Sequence, residues 1–468
     1  MAEITHDTEL VRVLETRDIF AAGVGLVVAA STLVSDFQGW FLGGRTFALA
    51  LIGAAVLNML LGLSAAELAT TYPKAGALYD YGAASTPGGH AAKTIVGLFL
   101  GFTFYVMFAF AGGGETTAGA AGAVGLFEGG SLEVWIIVLT VLALIPNLLG
   151  IEALAKVELW VLVGMLGIRW FFGLAGFLGF SDAGGWSFSN VASATPDFVG
   201  YAGLLALVGG FGFWSFVGIE FVAPLAEETR HPARSIPRGI VYGIIAILAT
   251  SLFMGFGVSG LNVDWLGLVS EDAPQLDVGI AMFGDTGRVL MAIASVLATF
   301  ASMTVVYAAM PRILYGMSRN GHFFGPLSKT FGHVHPRYRT PWVAIIFTAV
   351  VYTAVAISYG AVVEQIFTAA YVWILLYAAY HVLVIVSRYV NPDVVRPFQL
   401  PLAVPAVGFL LTIYVWWEAF KADDGHSFFG GRAVWIILIA AAAALVSYAL
   451  RGSSGVEDHL EEEVHQQL

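Results

Sequence analysis

The sequence contains no cysteine, which excludes disulfides, thiol catalysis and a disulfide-linked partner subunit. Charge is scarce as well. Asp, Glu, Lys and Arg make up 12% of the 468 residues, against 58% hydrophobic, a balance that no water-facing globular surface supports. Nor is there a Ser/His/Asp set, a metal-ligand spacing or a phosphate-cradling glycine loop, so neither an enzyme nor a cofactor is expected. Long polar stretches are missing too. A largely polar stretch of seventeen residues precedes the first apolar run and one of about eighteen follows the last, which leaves no length for an effector domain and reads as no cleaved signal peptide.

What remains is apolar and periodic on the scale of a bilayer. Hydropathy resolves about twelve runs, near 18–40, 45–66, 94–124, 132–151, 157–180, 199–225, 239–260, 287–311, 341–359, 362–387, 402–420 and 433–450. Each is close to or above the ~20 residues that a spanning helix needs. The expectation is an all-α polytopic membrane protein embedded in the lipid bilayer of the plasma membrane. Of the 21 Lys and Arg, only Arg45, Arg288, Lys421 and Arg432 fall on one side, Arg169 lies within a helix, and the rest fall on the other side. That bias predicts cytoplasmic termini. The basic loops are thereby accounted for as topology signals, with no nucleic-acid partner. The net charge of −12 gathers in outer loops and in the tail EDHLEEEVHQQL, a solvated acidic end.

The chain is organised around Tyr201–Ile240. Here Gly212, Ser215 and Gly218 interrupt an aromatic run beside Glu220, before the polar AEETRHPARSIPR. Such spacing, with a carboxylate, suits a broken helix lining a cavity, because unpaired backbone and charge are costly in lipid. Five spans earlier, the first span is interrupted by small residues, Ala29, Ala30 and Ser31, and carries Asp36 towards its outer end. Two such segments predict an inverted repeat: helices 1–5 in 18–180, helices 6–10 in 199–387, two more helices in 402–450, a tail at 1–17 and another at 451–468.

A half-helix that begins at mid-membrane offers N–H groups to a carboxylate. One that ends there offers carbonyls to an ammonium. Candidates for this backbone role are Ala30 and Ser31 in the first span, with Ser215, Val217 and Gly218 in the sixth. Phe213, Trp214 and Phe216 are placed to close over a bound solute, and Tyr105 and Tyr307 are further candidates. Among intramembrane charges, Glu220 is the expected carrier of a coupled proton. Asp36 is read either as an ammonium partner or as an outer helix end, and Glu115 as a vestibule or packing residue.

Several motifs then resemble a known family. E-L-x4-P-K-A-G-x-x-Y-x-Y (Glu67–Tyr81), FGFWSFVGIE with AEETRHPARSIPR, PRILYGMSRNG before TPW, and RPFQLP stand in order between residues 18 and about 405. Together they are similar to the amino acid–polyamine–organocation (APC) superfamily. The resemblance implies a LeuT-type fold of five plus five inverted helices with two added, and transport by alternating access. SDFQGW (Ser35–Trp40) is similar to the first helix of bacterial ethanolamine permeases, while the usual G-x-G-I break reads Ala29-Ala30-Ser31-Thr32 here. The break is therefore expected at Ala29–Ser31 or at Ser31–Asp36. In proton-coupled members a fifth-helix lysine replaces a sodium ion. Met165 occupies that place, and Arg169, one turn on, is expected to supply the fixed positive charge. An arginine stays protonated, so it holds the first helix without itself carrying a proton. Ser302 and Thr304 are the residues that would ligate sodium if sodium were used.

The reading is a secondary transporter importing amino acids or small amines, driven by protons and independent of sodium. An exchanger of two such solutes would use the same site. A sensor or channel is the reading from another class, but a sensor needs an effector domain and a channel a continuous polar stripe.

Overall fold

The computed structural model describes residues 10–191, 200–268, 273–359, 362–422, 428 and 432–451. The acidic tail from 452, the first nine residues, the outer-loop stretch 192–199 and the loop acids Glu271 and Asp272 lie outside the described residues. An apolar chain in lipid must close its own backbone hydrogen bonds, and it does so with helices. In chain order these are α1 (Thr16–Val27), α2 (Ala30–Gly43), α3 (Arg45–Thr71), α4 (Leu78–Ser85), α5 (His90–Phe127), α6 (Leu132–Leu149), α7 (Ile151–Leu178) and α8 (Gly200–Leu207). There follow α9 (Pro232–Ser259), α10 (Trp265–Leu268), α11 (Pro274–Arg319), α12 (Leu327–Phe331), α13 (Trp342–Tyr359), α14 (Val362–Val390), α15 (Ala403–Ala422) and α16 (Ala433–Leu450). Among the described residues, ten helices are long and apolar enough to cross a membrane, and the bent pair α1–α2 makes eleven. This is a multi-pass membrane protein.

The exposed faces fit that environment. Leu49, Ile52 and Val56 on α3, Trp160 and Val163 on α7, Leu410 on α15 and Leu445 on α16 are large, apolar and uncovered by protein. In water such a surface would aggregate; against acyl chains it costs nothing. The outer shell of α6, α13, α15 and α16 surrounds an inner group in which α1 packs on α9, α7 and α11, and α5 packs along α11 and α14.

Two segments depart from continuous helix. α1 and α2 meet at 59°, with Val28 (ψ 45°) and Ala29 (ψ 170°) outside helical geometry. Neither is Gly or Pro, so the break comes from side chains that take up the freed backbone groups. The break lies at Val28–Ala29, meeting the expected Ala29–Ser31 register only at Ala29 and the Ser31–Asp36 register not at all, since Ala30, Ser31 and Asp36 sit within α2. The second segment begins with α8, widens into a π-turn at Val208–Gly212, and loses helical geometry at Gly210 (φ −99°, ψ −107°). After Phe213–Val217 the chain turns at Gly218 and continues as a tight 3-10 helix, Ile219–Glu228. Gly218 has φ +106°, and a Cβ there would run into Leu26 of α1. Only glycine suits both the left-handed backbone and this approach.

The span expected from 287 follows a break: at Phe283 and Gly284, the latter at φ +57°, the backbone leaves helical geometry, and the stretch from Pro274 turns so that Gly279 lies against Gly287. The inner end of this span runs on through Pro311 to Arg319.

Candidate functional site

The two breaks lie side by side, and the first is filled by the protein's own charges. At the end of α1, Arg169 of α7 donates from Nη2 to the carbonyls of Val28 (3.0 Å) and Ala29 (2.8 Å). At the start of α2, the N–H groups of Ala30 and Ser31 donate to Oε1 and Oε2 of Glu115 on α5, at 3.0 and 2.9 Å. Thr299 Oγ1 of α11 donates to the same Oε1 at 2.6 Å. The half-helix dipoles explain both choices. The partial negative end of α1 meets a guanidinium, and the partial positive end of α2 meets a carboxylate.

Asp36 forms the bridge to the sixth segment. It accepts from Ser215 (2.6 Å) and from Ser251 on α9 (2.8 Å), and its Oδ2 lies 3.9 Å from Arg169 Nη1. Ser35 Oγ donates to the Phe211 carbonyl at 3.0 Å, and Trp214 Nε1 donates to Ser31 Oγ at 3.1 Å. Glu220, in the first turn of the 3-10 helix, turns to α14. Trp373 Nε1 donates to Oε1 at 2.6 Å, and the Tyr377 hydroxyl to Oε2 at 3.0 Å. Arg169, Asp36 and Glu220 are all buried, so each bond replaces water that lipid and protein exclude.

Between the breaks lies a small cavity of about 20 Å³, room for a water. Ala29, Ser31, Thr32, Glu115, Trp214, Val217, Ser302 and Trp373 are among its lining residues. Several candidates are therefore at the cavity wall: Ser31, Trp214, Val217 and, of the conditional sodium pair, Ser302. Ala30, Asp36, Ser215 and Glu220 stand just behind it, through the bonds above, and Gly218 N–H donates to the Tyr377 hydroxyl at 3.4 Å. Phe213 packs against Tyr377, ring centroids 5.3 Å apart, and Phe216 is fully buried.

Other candidates lie elsewhere. Tyr105 faces α13, its hydroxyl donating to Thr348 at 3.1 Å while its carbonyl accepts from Tyr352. Tyr307, on α11, stands beside Thr140 and Thr353. Thr304 is buried on α11 and donates its hydroxyl within its own helix, to the Phe300 carbonyl. Met165 is buried on the stripe Glu158, Leu162, Met165, Arg169 that α7 turns inward.

The structure also brings in residues that sequence reasoning missed. Glu115 is not a vestibule or packing residue; it is the partner of the α2 N-terminus. The available signal was its place in GGGETTAGAAG, where small residues let α11 and the first break approach α5 closely. Trp373 and Tyr377 carried no signal beyond an aromatic-rich helix. Glu158 is fully buried, and neither carboxyl oxygen has a hydrogen-bond partner. A Cβ on Gly25 of α1 would strike its carboxyl, and Ala301 of α11 lies alongside.

Towards the basic side, ion pairs tie the elements together. Arg312 forks onto Glu228, at 2.5 and 2.8 Å. Arg319 meets Glu227 at 2.9 Å, and Arg388 forks onto Glu67 at 2.9 and 2.6 Å. A larger cavity of about 330 Å³, lined by Arg17, Asp18, Lys156, Trp160 and Arg230 among others, opens beside α1 and α7.

These features can be set beside known proteins. An uncharacterized transporter of Rhizobium meliloti is 32% identical over 377 residues, 77% of this chain and 75% of that protein. A branched-chain amino acid permease of Bacillus subtilis is 25% identical over 88% of this chain and 89% of its own length. A low-affinity putrescine importer of Escherichia coli is 27% identical over 64% of each. A family model described as amino acid permease matches residues 14–442. The chain therefore belongs to the amino acid permease family, within the APC superfamily, and is a membrane transporter rather than an enzyme.

Proposed function

We propose that this permease imports amino acids or small amines across the plasma membrane by alternating access around the two helix breaks, driven by protons and without sodium. Counting 200–228 as a broken sixth span supports twelve spans in the order five, five and two, with both termini cytoplasmic. The observation that carries the reading is Arg169. Its guanidinium occupies the Val28 and Ala29 carbonyls, the pair that would otherwise call for a mobile cation. A fixed cation at that point removes the need for sodium, and because arginine holds its proton, a carboxylate must carry the coupled one. Glu220 beside the sixth break is the first choice, and Glu158, buried with no partner, is the second.

The bond set around Asp36, Ser215, Ser35 and Trp214 supports the movement. It ties α2 and the sixth segment into one outer unit, while the pairs Arg312–Glu228 and Arg319–Glu227 tie the inner ends. Opening to one side breaks one set and keeps the other.

The test is uptake into proteoliposomes under an imposed pH gradient. Replacing sodium by choline should leave uptake unchanged, whereas collapsing the gradient should abolish accumulation and leave exchange. A steep sodium requirement would overturn the coupling. Movement only against a counter-solute, with no response to the gradient, would make the protein an exchanger.

A further inference from the structure

The backbone cradle at the first break, the natural place for a substrate carboxylate, is already occupied. Glu115 holds it with hydrogen bonds from Ala30 N–H, Ser31 N–H and Thr299 Oγ1 at 3.0, 2.9 and 2.6 Å. A second carboxylate would have to displace the first or sit against it, and like charges in a buried site repel strongly. The cavity wall is consistent with this. Among the described residues lining it, Glu115 alone carries a charge. The positive group nearby, Arg169, is turned onto the Val28 and Ala29 carbonyls and is not part of the wall.

The uncharged part of the wall mixes aliphatic residues such as Leu26, Val27 and Val217 with three aromatic rings. Phe108, Trp214 and Trp373 all line the cavity. Trp373 stands edge-on to both others, with centroids 5.3 Å from Phe108 and 5.8 Å from Trp214. Indole and phenyl faces attract an ammonium through their quadrupoles, most strongly where water is excluded, and do nothing for a carboxylate. Ser31 and Ser302 add hydroxyl oxygens.

We infer that the site takes amines that lack a carboxylate, the ammonium resting between Glu115 and the aromatic rings, and that Glu115 sets this specificity by standing in for the carboxylate that an amino acid would bring. The inference rests on the transport reading above and narrows it to one class of solute. Glu115 then has two tasks. It satisfies the α2 N-terminus permanently, and it presents a negative charge to the cavity.

The test uses pairs that differ by the α-carboxylate alone: ethanolamine with serine, isobutylamine with valine, putrescine with ornithine, cadaverine with lysine. Purified protein is assayed by thermal shift, since true ligands raise the melting temperature by mass action, and proteoliposomes by competition for uptake. In the unmutated protein the amine of at least one pair should bind about tenfold or more tightly than its amino acid, a margin of about 1.4 kcal/mol. Glu115→Gln keeps an oxygen for the N–H groups but removes the charge, and should weaken that amine at least about tenfold. Glu115→Ala vacates the cradle, and should shift the preference towards the amino acid. Amino acids binding as well as their amines in the unmutated protein would overturn the inference and leave the transport reading standing. So would an amine affinity unmoved by Glu115→Gln. If no member of any pair binds or moves, both readings fall together. Should the variants not fold, the unmutated panel decides alone.

Discussion

Arg169→Ala is the most informative single perturbation. It removes two hydrogen bonds to backbone carbonyls, Val28 at 3.0 Å and Ala29 at 2.8 Å, and the cation 3.9 Å from Asp36. Asp36 keeps Ser215 and Ser251, so it loses charge compensation but not all its donors. Stranding one member of a buried pair typically costs about 3–5 kcal/mol, and the two carbonyls belong to the same loss, so they are not counted again. At about 1.4 kcal/mol per tenfold, the arrangement that holds α1 against α7 should fall by roughly 10² to several times 10³ in population. Uptake into proteoliposomes should drop by at least about a hundredfold on this scale, with a lowered melting temperature. The double variant Arg169→Ala with Asp36→Asn separates charge from packing. Removing the stranded carboxylate should restore part of the stability, giving a coupling within the ~0.5–3 kcal/mol seen for contacting residues. Sodium should also become partly stimulatory in Arg169→Ala, since a small cation can then occupy the vacated carbonyls, whereas the proposed coupling predicts no sodium effect on the unmutated protein. Uptake within twofold of the unmutated level, or strictly additive single and double variants, would refute the reasoning.

Three further outcomes are expected. Glu220→Gln should retain solute exchange while losing accumulation driven by a pH gradient; if it still accumulates and Glu158→Gln does not, the coupled proton belongs to α7. Gly218→Ala should lower the melting temperature, because a left-handed backbone at φ +106° costs a residue with a Cβ about 1–3 kcal/mol and the added methyl meets Leu26; an unchanged melting temperature would show that the turn relaxes. Asp80, in the short helix α4 between the spans, has its carboxyl pushed up to about 6 by burial, against the opposing pull of Arg319 and Lys74. A raised folded-state value means stability that is present at low pH and lost as pH rises through about 6, so Asp80→Asn should flatten the fall in melting temperature between about pH 4 and pH 7. A fall equally steep in the variant would place the titration elsewhere.

Much of the architecture follows from local composition. Apolar runs locate the spans to within a few residues for most helices, because the bilayer selects length and hydropathy one segment at a time. The break in the sixth segment is also local: glycines at 210, 212 and 218 permit backbone that other residues resist. The kink at Gly284 shows the same permissiveness, but nothing in the surrounding letters distinguishes it from a glycine kept for packing, so hydropathy alone does not mark it.

The break of the first span is different in kind. Val28 and Ala29 have no conformational reason to leave a helix, and they do so because a guanidinium 140 residues away in sequence and a carboxylate 85 residues away satisfy the opened backbone. Hydropathy treats Glu115 and Arg169 as isolated costs within their own helices. Only packing reveals that each cost is offset by the other end of one broken helix, and that Tyr105 and Tyr307, equally suitable by residue type, face α13 and α6 instead. Membership of the permease family, the multi-pass architecture and the positions of the two interrupted segments were determined by the sequence itself. Which charges fill the first break was decided by the tertiary structure, because long-range pairing inside a low-dielectric core depends on which helices meet, not on what each helix contains.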